Sequence, residues 1–292
     1  MRVMILGGGG TLGAFSAGAL RALEEYGWEA DAWIGSSAGG INLLRASVGG
    51  SHTATEFWTD LRWQELVREA LTSHPFNGGV LDERRFYARV EDHVDFDALL
   101  RDTRTYSFLV CDLQTGRVAL RGNRTESSAE DLRAVSRAAY ALPPLLPPVL
   151  VGEHLHADGG LLYNAPIERA AELGATEVVY VCNVQALPHQ GYARPHTLPA
   201  TLRYLDVFFR RASNVGFADA VVTEGFWRSI PLLTIAPPAA PGLRSLISAF
   251  RPTHAQMQRL VAMGYAEAQG ALAHWHPTRP SDAPQLPGGG GP

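Results

Sequence analysis

The chain opens by switching between two periodicities, and that switching limits the folds open to it. RVMIL, Arg2 to Leu6, is a short apolar run without a polar face. It passes through GGGGTLG into AFSAGALRALEEYG, where Leu20 and Leu23 recur at helical spacing before a stop at Gly27. A run that is apolar on both sides suits a strand covered on both faces of a sheet, and a parallel neighbour can be reached only by a crossover such as a helix. The switch recurs as DAWIG followed by AGGINLLRASVGG, and later as TEVVYVC, PLLTIAP and an amphipathic stretch from Thr253 to about Trp275. We therefore expect an α/β fold with a mostly parallel central sheet and helices on both faces.

Between these segments the spacing of Phe57, Trp58, Leu61, Leu66 and Val67 predicts a helix from about Ala54 to Leu71, and Asp82 is placed to cap another that runs through Val94. TYSFLVCDL and RVALRG, joined across Gln114-Thr115-Gly116, read as a hairpin, and EDLRAVSRAAYAL reads as a helix. The proline-rich stretch LPPLLPPVLV leads into two short strands. Asn164 is then expected to cap a helix with Pro166 near its first turn and Gly174 at its end. No internal linker interrupts residues 1–275, which we read as one domain. Residues 276–292, rich in Pro and Gly, lack apolar side chains to bury and read as a disordered tail.

Composition excludes several chemistries. All 25 basic residues are arginine, so a Ser-Lys dyad, a Schiff-base lysine and a Walker-A phosphate loop are ruled out. A formal charge of -4 without a dense basic run argues against nucleic acid as a partner. Arg84-Arg85 and Arg210-Arg211 read as solvated helix faces. Two cysteines, Cys111 and Cys182, end apolar strand-like runs and read as reduced core residues, which fits a cytoplasmic protein. No stretch approaches the roughly 18 apolar residues of a membrane span, so contact with a membrane is expected to be peripheral. The apolar run Val3 to Leu6 is also too short for a signal peptide, and it is read as the first strand.

Two short motifs could carry chemistry. Gly35-Ser36-Ser37-Ala38-Gly39 matches G-x-S-x-G between a strand and a helix, the setting in which a serine sits on a sharp turn with its hydroxyl projecting. The stretch Gly7 to Gly13 lies where backbone N–H groups converge on a helix N-terminus and can bind an anion. It contains G-x-G-x-x-G at Gly8, Gly10 and Gly13, so a dinucleotide-binding protein is one reading. That reading expects an acidic residue at the end of the second strand, where Ser36 and Ser37 stand instead, with Asp31 at the wrong end. The other reading makes these amides an oxyanion hole for Ser37. A serine nucleophile needs a base, and His154, His156 and Asp158 share one strand face by period two. H-x-H-x-D also suggests metal ligands, but the next residue is Gly159, and we expect no metal. The plain reading of the two histidines is exposure on a strand.

These pieces together resemble the patatin-like phospholipases, acyl hydrolases that use a Ser-Asp dyad. The resemblance is carried by Gly8-Gly9-Gly10-Thr11-Leu12-Gly13, by Gly35-Ser36-Ser37-Ala38-Gly39, and by Asp158-Gly159-Gly160 preceded by LPPV. It extends from the first strand to GYAEAQGAL and implies a three-layer architecture. It implies Ser37 as nucleophile, Asp158 as its base, and loop amides at Gly8, Gly9 and Gly10, chiefly the last two, as oxyanion donors. Gly35, Ala38, Gly39, Gly13, Gly159 and Gly160 would support them, without cofactor or metal. Lipid or ester is the implied substrate, cleaved by hydrolysis or passed to another acceptor by an acyltransferase through the same acyl-enzyme. Leu12 stands where the family usually carries Arg or Lys. The backbone cradle is then left without an adjacent positive charge, which turns the expected substrate toward a neutral ester or a lysophospholipid.

Overall fold

In the computed structural model, residues 1–66, 79–163, 165–183, 222–223, 225–238 and 252–275 are described. β1 (Arg2–Leu6) is buried from Val3 onward, and β2 (Ala32–Gly35) and β7 (Glu177–Val181) lie parallel on its two sides. β3 (Thr105–Asp112) pairs parallel with β2, and β10 (Ile230–Ile235) pairs parallel with β7. This five-stranded parallel core is flanked by antiparallel strands: β4 (Val118–Gly122), β5 (Val149–Val151) and β6 (His154–Asp158) at one end, β8 (Val222–Thr223) and β9 (Phe226–Trp227) at the other. The expected α/β sheet is therefore mixed at both edges and parallel at its centre.

Alternate residues of the central strands feed two cores. Met4, Leu6, Val179 and Val181 pack under α1 (Gly13–Glu25), α2 (Ala38–Asp60) and the last helix, α8 (His254–Ala273). Val3, Ile5, Val178 and Tyr180 face α7 (Ile167–Glu172) through Ile167 and Ala170. Helices thus cover both faces. The closing helix begins where its sequence says it should, because Thr253 and Gln256 form a reciprocal capping box.

Several expected boundaries move. The helix expected from Ala54 to Leu71 is instead the second half of α2, which breaks at Gly49 and Gly50 and ends at Asp60, where Leu61 turns extended. A single turn, α3 (Trp63–Leu66), follows, and residues 67–78 lie outside the described residues. Asp82 does cap α4 (Glu83–Val90), but that helix stops four residues short of Val94. His93 takes a left-handed backbone, and Asp95 starts a separate helix, α5 (Phe96–Arg101), by accepting from the Ala98 N–H. α6 (Ala129–Ala138) is capped by Ser128. Pro166 is itself the cap of α7, and Asn164 lies outside the described residues, as do Arg210-Arg211 and the tail 276–292.

α1 and α8 touch backbone to backbone. A Cβ on Gly18 would stand 1.9 Å from the Val261 carbonyl oxygen, and one on Gly264 would stand 1.9 Å from that of Phe15. Alanine normally stabilises a helix interior by up to about 1 kcal/mol over glycine, so a loss at these sites isolates the cost of forcing the helices apart. Gly18→Ala and Gly264→Ala should each lower stability by about 1–3 kcal/mol in denaturant melts, whereas Gly270→Ala, with nothing within 4 Å, should be neutral or stabilising.

Candidate active site

The site is built on β3. Ser107 and Phe108 pair with β2 on one edge and β4 on the other, while Val110 and Cys111 pair with β4 and β6. A strand has two edges, so β2 and β6 must share the edge that β4 leaves open, meeting end to end. Gly35 is opposite Phe108 and Asp158 opposite Val110, two residues or about 7 Å apart along the strand. The chain leaving β2 therefore turns at Ser36-Ser37 beside the end of β6.

Ser37 caps α2 with φ 51° and ψ -127°, a left-handed backbone that a serine rarely adopts. Its N–H donates to the Ala139 carbonyl at 2.8 Å, and its own carbonyl accepts from Gly40 at 3.0 Å. Ser36 is 2% exposed, whereas Ser37 is half-buried, so of the two serines it is Ser37 that the turn presents. Close approach explains the glycines around it. A Cβ on Gly39 would fall 1.9 Å from the Leu6 carbonyl oxygen, and one on Gly13 would meet Trp58 and the Cβ of Ala38. The glycine loop and the turn thus pack directly against each other. Within the loop, Gly10 has φ 59°, and no acceptor is found for the Gly9 or Gly10 N–H among the described residues. Leu12 is half-buried against the core.

Asp158 ends β6 and is 3% exposed. Its N–H donates to the Ala141 carbonyl at 2.9 Å, and Oδ1 accepts from the Gly160 N–H at 2.8 Å. Burial pushes its carboxyl up to about 7, against the opposing pull of the Ser37 hydroxyl and the Gly160 N–H. Oδ2 is buried and has no hydrogen-bond partner among the described residues, so the Ser37 hydroxyl interacts with the carboxylate without closing a bond to that oxygen. One segment, Ala139 to Ala141, therefore holds the backbones of both Ser37 and Asp158. The sequence reading missed it, because it placed Ala139-Tyr140-Ala141 inside the helix EDLRAVSRAAYAL, whereas α6 ends at Ala138.

One histidine differs from its plain reading. His156 is 7% exposed, not a surface residue, and its Nδ1 donates to the His154 carbonyl at 3.1 Å. His154 contacts Asp112 Oδ2 through Nδ1 at 2.7 Å, which holds the Asp112 carboxyl well below the usual carboxylate range. No group of three or more metal-ligating side chains occurs among the described residues. The dinucleotide reading loses its acid as well, since Asp31 accepts from the Arg2 N–H at 2.7 Å beside the start of β1.

A raised pKa has a sign in stability. Between the ordinary carboxylate value and about 7, folded Asp158 holds a proton that the unfolded chain has lost, so stability falls as pH rises through that window. Asp158→Asn removes this penalty. Its stability relative to the parent should rise between pH 4 and 8 by on the order of a few kcal/mol, read from urea melts at each pH. A constant difference would mean that the carboxyl titrates normally.

The family model for patatin-like phospholipases matches residues 4–171 of the 292. An uncharacterized NTE family protein of Mycobacterium bovis is 29% identical over 183 residues, covering 61% of this chain and 48% of that one. Lysophospholipase NTE1 of Kluyveromyces lactis is 26% identical over 196 residues, 62% of this chain and 12% of the yeast protein. The match thus spans about half of the mycobacterial relative and a small part of the yeast one. The crystal structure of VipD from Legionella pneumophila aligns over 89% of this chain and 66% of its own with a TM-score of 0.44 and 13% identity. By the match over residues 4–171, more than half of its length, this chain belongs to the patatin-like phospholipase family.

Proposed function

We propose that the chain is a serine acyl hydrolase that cleaves carboxylic esters of lipids through an acyl-Ser37 intermediate, with Asp158 as base. The observation that carries this reading is the meeting of Ser37 and a buried Asp158 at one edge of β3, next to a glycine loop in which the Gly9 and Gly10 N–H groups have no acceptor among the described residues. Ser37 Oγ attacks the ester carbonyl and gives its proton to Asp158 Oδ2. The carbonyl oxygen becomes negative and is received by the N–H groups of Gly9 and Gly10, with Gly8 beside them. Asp158 then returns the proton to the departing alcohol or lysolipid. Water repeats the sequence on the acyl-enzyme and frees the fatty acid.

A carboxyl near 7 suits this work better than an ordinary aspartate, because it is a stronger base that is still about half ionised at neutral pH. Leu12 adds no charge at the loop, which favours a neutral ester or a lysophospholipid over a strongly anionic headgroup. That the yeast relative is a lysophospholipase agrees with that preference. Among the described residues no helix is long and apolar enough to cross a membrane, so the proposed approach to a lipid surface is peripheral.

A fluorophosphonate probe should label Ser37, and Ser37→Ala should abolish both labelling and p-nitrophenyl ester hydrolysis. Labelling at Ser36, or activity that survives Ser37→Ala, would remove the nucleophile from this reading. His154→Ala, which changes a half-exposed side chain, should keep turnover within about tenfold, whereas loss of a general base costs about 100-fold or more.

The pH profile gives a second check. Only ionised Asp158 can accept the proton, so kcat/KM should rise with pH, with an apparent midpoint near 7, and level off above it. A profile flat from pH 5 to 8 would assign the base to another group.

A further inference from the structure

We propose that Asn42 and Asn183 are positioning residues that clamp the two ends of the glycine loop and so aim its N–H groups at the developing oxyanion. The inference builds on the assignment of Ser37 and the loop given above. Asn183 follows β7 and is 1% exposed, and Asn42 lies five positions after Ser37 on α2 and is 0% exposed. Asn183 Nδ2 donates to the Gly7 carbonyl at 2.7 Å while its Oδ1 accepts from the Ser16 hydroxyl at 2.6 Å. Asn42 Nδ2 donates to the Gly13 carbonyl at 2.8 Å while its Oδ1 accepts from Trp58 Nε1 at 2.6 Å.

The amide orientations are forced. A carbonyl can only accept and an indole N–H can only donate, so each Asn presents its NH2 group to the loop. Gly7 and Gly13 bracket the residues that carry the proposed donors, so the two ties fix the loop at both ends. One tie comes from the strand beside β1 and the other from the helix that begins at Ser37. Burying two amides is costly unless each is paired, and leucine would fill either space without that demand. What the amides add is a fixed place for the loop relative to the serine. The sequence reading passed over both residues, since a single Asn inside a helix and one after a strand carry no motif.

The test separates positioning from general stability. Asn183→Asp and Asn42→Asp keep the acceptor for Ser16 or Trp58 but have no N–H for the Gly7 or Gly13 carbonyl. Asn183→Ser and Asn42→Ser are uncharged alternatives. For each folded variant, checked by circular dichroism and melting, kcat and KM would be measured beside the Ki of a long-chain trifluoromethyl ketone. This compound forms a hemiketal oxyanion when Ser37 Oγ adds to its carbonyl carbon and the proton passes to Asp158. We expect kcat to fall about 10- to 100-fold, KM to stay within about threefold, and Ki to rise in step with the fall in kcat. Folded variants with kcat within threefold of the parent, or with reduced kcat and unchanged Ki, would overturn the clamp. Failure of all four variants to fold would also overturn it, by showing that the amides hold the domain. If Ser37→Ala stays active, or the ketone does not inhibit the parent, the assignment of Ser37 fails first. A dead Ser37→Ala beside unaffected Asn variants would sink the clamp alone.

Discussion

One edge of β3 is shared by two strands that meet end to end, and the candidate site depends on that sharing. β2 occupies the edge as far as Phe108 and β6 takes over at Val110, with β4 along the opposite edge throughout. Side chains alternate faces along a strand, so a slip of one residue in the β3–β6 register would send Asp158 to the other face of the sheet. The register is backed by a second restraint, the carbonyls of Ala139 and Ala141, which bond to the N–H groups of Ser37 and Asp158. Tyr140 between them is buried against Phe86 and Tyr87, with ring centroids 6.1 Å away in both pairs, and so anchors the segment to α4. Residues 121 positions apart in sequence are thus tied to one segment by backbone hydrogen bonds.

The same arrangement sets the electrostatics. Asp158 is enclosed by strand ends and by the tight turn at Gly159-Gly160, and it keeps only one oxygen bonded to a backbone donor. Asp112 is a useful contrast. It lies two positions beyond Val110 on β3, accepts from two turn N–H groups and contacts His154, and its acidity shifts the other way. Two aspartates on neighbouring strands therefore differ because one carboxylate is solvated by donors and the other is starved of them. Only the second is suited to take up a proton near neutral pH. The cost is borne by the fold, which is less stable when that carboxylate is ionised.

Much of this was legible in the chain. The α/β alternation, the hairpin at Gln114-Thr115-Gly116, the two short strands before Asp158 and the helix starting at Thr253 all carry local signals, and local signals were enough to find them. Helix ends were less legible. Asp82 and Asp95 are equally good caps, and the continuous run from Asp82 to Val94 hid the break at His93. Four features had no local signature at all: the end-to-end meeting of β2 and β6, the Ala139–Ala141 tie, the burial of His156, and the clamps at Asn42 and Asn183. Each depends on pairings between distant parts of the chain, which residue periodicity does not encode.

In the proposed mechanism, a dyad without histidine shifts weight from the base to the oxyanion site. Even a carboxylate near 7 lies far below the pKa of a serine hydroxyl, so proton transfer stays uphill until charge on the carbonyl oxygen is stabilised. One well-aimed donor is worth about 3 kcal/mol, provided it does not have to reorganise. A loop of four consecutive glycines would be a poor choice for that task if it were free, because glycine has the most conformational entropy to lose. Here Leu6 and Gly39 touch at one end, Gly13 and Ala38 at the other, and an amide ties each end to a neighbouring element. The glycines thus serve close approach, while rigidity is supplied from outside the loop by residues that never meet the substrate.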